Sequence, residues 1–394
     1  MKIDGVRVVA IAFCSAIIYG ALTFLAKGHI VPFLVKLGCS VTFAVGAVAL
    51  WWVENYQSKS AVPRTKKEGS KRFDWGMHYF RAFAILTIMA THYAGSFGYY
   101  DLVEVALTSS TIYFLFISGY LCQYIDQKRR EEPASYYKKK LLNVIAPFVV
   151  FSLVFGYMKG MLGFNFAFIK AMLCGEVQGQ YWYIPFVSGL FLVSPFICRM
   201  SGKMLATTTI ASFVLFLIFP FRPGGFALAW PHTFYLYTYF TVFYIIGFVY
   251  CRYKETIDQT VRPYWYVFLG GGVFLLFMLW HPDILRLKCV ERGLAIGLQR
   301  FCFLVCALLG LSFLKDKKIW ILDNLAKYSF TLYFIHFGFF AQTHAIHDRL
   351  ITMLPMPAVV SDLFIFAAYV GVMLACAILA KIVLGKFSRS IIGS

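Results

Sequence analysis

Apolar runs of roughly 20 residues recur along almost the whole chain, and short polar stretches separate them. Each run is long enough to cross, as a helix, a hydrocarbon core about 30 Å thick. The runs lack the period-two alternation of membrane strands, and an open strand edge has no hydrogen-bond partners in lipid. The pattern predicts an all-α, polytopic membrane protein of about 12 transmembrane helices. The predicted spans are 6–26, 31–53, 78–98, 103–125, 141–162, 182–198, 205–221, 233–251, 264–281, 294–314, 328–346 and 361–384.

Composition and charge support a membrane protein and give its orientation. Hydrophobic residues make up 60% of the chain and charged residues only 14%, whereas about 25% are charged in soluble domains. The net charge is +19, and with the N-terminus inside, the inner segments hold 25 Lys and Arg against seven in the outer loops. Such a bias orients helices, so we expect both termini in the cytoplasm. We also expect membrane lipids, and no nucleic acid, as partners.

Polar segments divide the chain into four regions. Residues 54–77 form a basic linker between an N-terminal transmembrane hairpin, 1–53, and a core at 78–384, and a short cytoplasmic tail, 385–394, follows. A second basic loop, 126–140, contains Lys138, Lys139 and Lys140. The lysines of such loops either maintain topology and contact anionic lipid or bind an anionic ligand.

The third predicted span carries two residues that are costly in a membrane, Arg81 and His92. Eleven helical positions bring a side chain back to nearly the same face, about 16 Å further along the axis. Alone, Arg81 is also explained as an anchor whose charged end reaches the membrane surface. His92 is also explained as a packed histidine bonded to a neighbouring helix. Together they indicate a polar face directed at protein or water.

The eleventh predicted span carries a second polar stripe. Ser329, Tyr333 and His336 follow one another at helical spacing and share a face. A polar stripe on an apolar helix faces protein or water rather than lipid. It forms either interhelical hydrogen bonds or a second wall of a functional site, opposite the third span.

Three further features concern possible site residues. Glu104 and Asp101 lie at the outer end of the fourth span, near His92, where a carboxylate is either simply solvated or orients the imidazole. Arg300 lies inside the tenth span without an obvious partner. We expect no metal site, since no histidine or carboxylate sits one turn from the Cys302 and Cys306 pair.

Five motifs in this order resemble acyltransferase family 3, over about residues 73–384. The Arg81-x10-His92 spacing is similar to the family's first-span signature, and residues 116–120 (FISGY), which contain Ser118, to its second-span motif. Residues 136–147 (YYKKKLLNVIAP) resemble a basic stretch that ends in proline. Trp182-Tyr183-Ile184 and residues 328–336 (YSFTLYFIH) resemble two later motifs. One departure is that Lys140 and Asn143 stand where the family commonly has an Arg-x-x-Arg pair.

The resemblance implies transfer of an acyl group, most often acetyl, from a coenzyme A thioester to a sugar hydroxyl. Acetyl-CoA would be a co-substrate, with no bound cofactor. The acceptor would be a cell-surface or lipid-linked glycan, and the protein would lie in a bacterial cytoplasmic (inner) membrane. No motif encodes the acceptor's identity or the length of the acyl group.

The residues fit separate roles in such a reaction. Arg81 with Lys138, Lys139 and Lys140 would bind the donor phosphates, and His92 would be the general base. His336, Ser329 and Tyr333 would form the opposite wall, where they would stabilise an oxyanion or His336 would relay the acyl group. The remaining candidates for donor or acceptor binding are Ser118, Trp182 and Glu104.

Two other function classes are compatible with parts of the pattern. Twelve spans with both ends inside is a common layout for a transporter, here of a small anionic or sugar-like solute. A transporter predicts repeat symmetry between the two halves, which this sequence lacks. A non-catalytic membrane scaffold predicts no polar stripes, so the third and eleventh spans argue against it.

Overall fold

The computed structural model describes residues 73–94, 100–161, 166–219, 232–281, 289–353 and 357–393. The predicted hairpin 1–53 and nearly all of the linker 54–77 lie outside the described residues. Within them the chain is helical, without a β-strand. The helices are α1 (Trp75–Tyr93), α2 (Tyr100–Leu107), α3 (Thr111–Lys128), α4 (Pro133–Lys140), α5 (Ala146–Met158), α6 (Phe166–Leu173), α7 (Tyr183–Cys198), α8 (Gly202–Ile218), α9 (His232–Val261), α10 (Trp265–Trp280), α11 (Cys289–Ser312), α12 (Trp320–Met353), α13 (Ala358–Leu384) and α14 (Ser388–Ile391).

Each predicted span of the core falls on one or two of these helices, so the all-helical prediction is confirmed for the described residues. Five segments there are long and apolar enough to cross a membrane. They are Asp101–Lys128, Pro133–Met158, Thr233–Trp280, Arg292–Ser312 and Val359–Ile391. Neither α1 nor α12, which carry the two polar stripes, is among these five. The count of twelve therefore stays a prediction.

The outside of the helical bundle is strongly apolar. Phe196, Ile382 and Val383 are 69%, 71% and 83% exposed, and many other large apolar side chains share this outer surface. A water-soluble protein rarely exposes apolar surface on this scale. With the five long apolar segments, this surface identifies a membrane protein.

Helix α1 lies inside the bundle, where it packs against α12, α11, α3 and α2. Next to α1, helices α3 and α9 approach each other closely. A Cβ on Gly119 would collide with the carbonyl oxygen of Tyr244, and one on Gly247 would collide with that of Phe116. Glycine at both positions lets the two backbones touch, as is common where membrane helices cross.

The fourth predicted span, 103–125, is two helices instead of one. Helix α2 ends at Leu107, α3 begins at Thr111, and Ser109 between them has a φ of 65°. Such a break leaves the last carbonyl groups of α2 without their helical partners. Those groups would be costly to bury in an apolar surrounding.

Arg300 of α11 satisfies the carbonyls that this break frees. Its Nε donates to Thr108 O at 2.6 Å, its Nη2 donates to Val105 O at 2.9 Å, and its Nη1 donates to Ala106 O. The side chain is fully buried. No partner of Arg300 could be predicted from side-chain patterns, because its partners are main-chain atoms. A cation at the C-terminus of a helix also interacts favourably with the helix dipole.

A short π-helix, Leu141–Ile145, joins α4 to α5. The backbone N–H of Ala146 donates to Leu141 O, one residue further back than in an α-helix. Pro147 follows directly; it has no N–H, and its ring would clash with the carbonyl four residues earlier in a regular helix. The wider turn relieves that clash and marks where the basic stretch enters the bundle.

The end of the chain folds back onto the core. After α13, Gly385 takes a positive φ of 51° and reverses the chain direction. Helix α14 then packs against α5 and the π-helix. Thr331 Oγ1 of α12 donates to Ile392 O at 2.8 Å. The segment predicted as a tail is thus held against α12 and α5.

Replacing Arg300 tests whether its hydrogen bonds stabilise the break between α2 and α3. We expect Arg300→Met to lower the free energy of unfolding by about 3 kcal/mol, because one buried and two partly buried carbonyls lose their donors. We expect Arg300→Lys to recover only part of this loss, since an ammonium cannot match the planar guanidinium fork.

Thermal unfolding in detergent measures the effect. The matched control is Arg262→Met, because Arg262 is exposed and makes one hydrogen bond, to Ser312 Oγ at 3.3 Å. Equal unfolding temperatures for the Arg300 and Arg262 variants would contradict this explanation.

Candidate active site

The two predicted polar stripes face each other. Helices α1 and α12 pack along their length, and contacts join them at two levels. At one level the Arg81 side chain meets Ser329, and at the other the His92 ring meets His336. Tyr333 lies between Ser329 and His336 on α12 and is buried. The shared faces expected from helical spacing are therefore observed on both helices.

The two imidazoles are in direct contact. The centroids of the His92 and His336 rings are 5.1 Å apart, with 40° between the ring planes. The edge of Phe337 approaches His92 at 5.3 Å. His336 is fully buried, whereas His92 is only partly buried. His92 is thus the member of the pair that a substrate can reach.

The hydrogen bonding of His336 defines its tautomer. Its Nδ1 lies 3.1 Å from Leu332 O, and a carbonyl oxygen only accepts, so Nδ1 carries the hydrogen. Nε2 of the neutral ring is then an acceptor. Among the described residues this buried nitrogen has no hydrogen-bond partner. A buried acceptor without a partner is costly and points to a functional role.

Arg81 lies about three turns from the histidine pair. Its Nη2 donates to Ser329 Oγ at 3.4 Å, and Ser329 in turn donates to Ala326 O at 3.0 Å. Arg81 is partly buried, so it reaches solvent from inside the bundle. A guanidinium has five N–H groups, and this one hydrogen bond to Ser329 leaves most of them available to a ligand.

A carboxylate on α12, Asp323, lies against His78, which is one turn before Arg81 on α1. Asp323 accepts from Lys327 Nζ at 2.8 Å and lies 3.0 Å from His78 Nε2. Burial alone would raise the pKa of Asp323, but the hydrogen bonds from Lys327 and His78 outweigh it and lower the pKa below its ordinary value. Asp323 therefore stays ionised and bound to these two residues.

A loop between α6 and α7, residues 174–182, completes the wall around the histidines. It was not predicted from the sequence. Tyr333 donates to the carbonyl of Gln180, and Tyr181 donates to Phe334 O at 3.2 Å. Gln180 is 2% exposed, and within the described residues its Oε1 has no hydrogen-bond partner. Gly179 lies against the ring of Phe337, which itself contacts His92. The sequence signal that could have identified this loop is a glutamine directly before three aromatic residues.

Trp182 and Ser118 lie in the aromatic packing behind this loop. Trp182 is 6% exposed, and its ring centroid is 5.5 Å from that of Phe240. Ser118 lies beside the hydroxyl of Tyr183, whose ring is 5.7 Å from that of Tyr333. Both predicted residues are therefore joined to the site through neighbouring aromatic side chains.

The three lysines of the basic loop differ in their surroundings. Lys139 pairs with Glu131. Lys140 lies over two aromatic rings, 3.8 Å from the centroid of Phe191 and 5.3 Å from that of Tyr136. Lys138 is exposed. Of the three, Lys138 is the lysine most available to a ligand.

Glu104 was predicted to lie near His92, but the described contacts do not join the two residues. It is partly exposed on α2, and among the described contacts it makes no hydrogen bond or ion pair with His92.

The described residues contain no group of three His, Cys, Asp or Glu side chains that is arranged to hold a metal ion.

A second buried polar cluster lies beyond the histidine pair. Tyr93 Oη is 2.6 Å from His347 Nδ1, and His347 Nε2 is 3.4 Å from Asp362 Oδ1. His347 and Asp362 are 2% and 1% exposed. The cluster joins α1, α12 and α13, and Tyr93 directly follows His92 in the chain. It therefore fixes the end of α1 that carries His92.

Comparison with known proteins identifies the family. The family model described as an acyltransferase domain, that of acyltransferase family 3, matches residues 74–382. No curated protein and no solved structure matches the chain. The match spans α1 to α13 and includes Arg81, His92, Ser329 and His336. The chain therefore belongs to acyltransferase family 3.

Proposed function

We propose that this protein is an integral-membrane O-acyltransferase. It transfers an acetyl group from acetyl-CoA to a hydroxyl of a cell-surface or lipid-linked glycan. The observation that carries the proposal is the pairing of Arg81 and His92 on α1 with Ser329 and His336 on α12. One end of this interface offers a cation, and the other offers a reachable imidazole. The family supports acyl transfer rather than transport.

The donor phosphates bind at the Arg81 end, which faces the cytoplasm in the proposed orientation. Arg81 is the best candidate there because it has unused N–H groups and reaches solvent from inside the bundle. Guanidinium–phosphate contacts are charge-assisted and frequently bidentate. From this end the extended donor arm runs between α1 and α12 toward His92, about 16 Å away along the helix axis.

His92 is the general base at the other end. It takes the proton of the acceptor hydroxyl as that oxygen attacks the thioester carbonyl carbon. The tetrahedral intermediate then collapses, the carbon–sulfur bond breaks, and the leaving thiolate takes the proton back from the His92 imidazolium. The products are an acetyl ester and free coenzyme A. Imidazole suits both steps because its ordinary pKa lies near neutrality.

The hydrogen bonding on α12 limits what its polar stripe contributes. Tyr333 already donates to Gln180, and Ser329 to Ala326. His336 donates from Nδ1 and presents only a lone pair at Nε2. None of the three has a free hydrogen for an oxyanion in this arrangement. We therefore propose that His336 accepts a hydrogen bond in the site, from the acceptor hydroxyl or from protonated His92.

Removing either α1 residue tests the assignment. We expect His92→Ala to reduce kcat for acetyl transfer by at least about 100-fold, the low end for general acid–base catalysis. We expect Arg81→Ala to act mainly through the KM for acetyl-CoA. Transfer of labelled acetyl from acetyl-CoA to acceptor in membranes measures both effects.

The matched control is Thr87→Ala on the same helix, because the Thr87 hydroxyl donates only to the α1 carbonyls of Phe83 and Ala84 among the described contacts. All variants are compared at equal abundance in the membrane. A His92→Ala protein that keeps most of its activity would show that His92 is not the general base.

The lysines of the basic loop make a separate prediction. We expect neutralising Lys138, Lys139 and Lys140 together to raise the KM for acetyl-CoA more than the KM for the acceptor. Of the single variants, Lys138→Gln should have a larger effect than Lys139→Gln, since Lys139 already pairs with Glu131. An unchanged donor KM in the triple variant would limit these lysines to topology and lipid contact.

A further inference from the structure

The folded-back end of the chain brings a second arginine to the Arg81 end of the site. Residues 385–393 turn at Gly385 and lie against α5, the π-helix and α12. Ser388 is 4% exposed, and Gly393 lies so close to the Phe330 ring that a Cβ there would collide with it. The segment is therefore seated in the core, and its side chains have defined positions.

Arg389 lies on this segment with its side chain exposed. It lies three residues before Ile392, whose carbonyl accepts from Thr331, and Thr331 is two residues along α12 from Ser329, the hydrogen-bond partner of Arg81. The two positive charges in this region repel each other. Like charges held together in a partly buried place are unfavourable unless an anion lies between them. The fold nevertheless keeps them near each other, through the contacts of Ser388, Ile392 and Gly393 with the core.

The described residues supply no carboxylate for either arginine. No ion pair there includes Arg81 or Arg389. Asp323, six residues before Ser329 on α12, is bound to His78 and Lys327. Two guanidinium groups thus lie in the same region, Arg81 between α1 and α12 and Arg389 on the exposed side of the folded-back segment. The ligand chemistry that matches them is a phosphate or diphosphate group.

We propose that Arg389 binds a phosphate of the acyl-CoA donor together with Arg81, which makes the folded-back end of the chain a part of the donor site. This inference rests on the proposed function. A lipid headgroup offers the same phosphate chemistry, but Arg81 lies between α1 and α12 inside the bundle. A ligand that meets both arginines has to enter the bundle, as the donor does in the proposed reaction.

The neighbouring lysines of the same region provide controls. Lys386 lies over the ring of Phe387, and Lys381 lies over that of Tyr328, each 5.3 Å from the ring centroid. Lys386 is on the same segment as Arg389 and has the same charge. If only the positive charge of this region mattered, Lys386→Gln and Arg389→Gln would have equal effects.

The experiment uses the full-length protein in nanodiscs of phosphatidylcholine. We expect Arg389→Gln to raise both the Kd for coenzyme A and the KM for acetyl-CoA about tenfold, the loss of one charge-assisted hydrogen bond. The kcat at saturating donor should stay unchanged. Lys386→Gln should leave all three quantities unchanged, and Arg389→Lys should recover part of the lost affinity.

A donor without phosphates separates a direct contact from a structural effect. With acetyl-pantetheine, Arg389→Gln and the unaltered protein should have equal KM values. If Arg389→Gln raises the KM equally for both donors, or lowers kcat, the arginine has a structural role and the proposal fails. If the effect appears only in nanodiscs that contain phosphatidylglycerol, the bound phosphate is that of a lipid, and the proposal fails as well.

Failure of the inference is distinguishable from failure of the proposed function. If the unaltered protein binds no coenzyme A, the proposed donor is wrong, and the role of Arg389 is wrong with it. If the unaltered protein binds coenzyme A and Arg389→Gln binds it equally well, the donor assignment stands and only the role of Arg389 is overturned.

Discussion

The packing of α1 against α12 is the interaction on which the rest of the structure depends. Polar side chains are costly in a membrane unless they meet each other, water or a ligand. Each helix carries one polar face, and pairing these faces brings Arg81 to Ser329 and His92 to His336. Every other element then covers apolar faces or braces this pair. The site is therefore also the polar core of the bundle.

Two buried clusters brace the opposite ends of this interface. At the Arg81 end, Asp323 joins α12 to α1 through His78. At the other end, His347 joins α12 to Tyr93 of α1 and to Asp362 of α13. Because both clusters involve α1 and α12, they limit sliding and rotation of one helix against the other. The spacing between the cation and the imidazole is thereby held constant, as the proposed reaction on an extended donor requires.

Helical periodicity was sufficient to predict the main helices and the two polar faces, because the spacing of Arg81 and His92 defines a face without tertiary information. The break at Ser109 and the partners of Arg300 were not predictable in this way, since those partners are backbone carbonyls, which no side-chain pattern reports. The buried position of Gln180 and the return of Arg389 were missed for a related reason. Both depend on how the chain turns between helices, and turn residues alone do not predict which neighbours the chain then meets.

The contact between Arg300 and the end of α2 has a consequence for how this protein tolerates change over evolution. Its hydrogen bonds go to main-chain oxygens of Val105, Ala106 and Thr108. Every amino acid carries such an oxygen, so the anchor does not depend on which side chains occupy these three positions. The end of α2 lies beside the helix that carries His92. Its side chains are therefore free to change without loss of this anchor, while one arginine on α11 keeps the backbone in place.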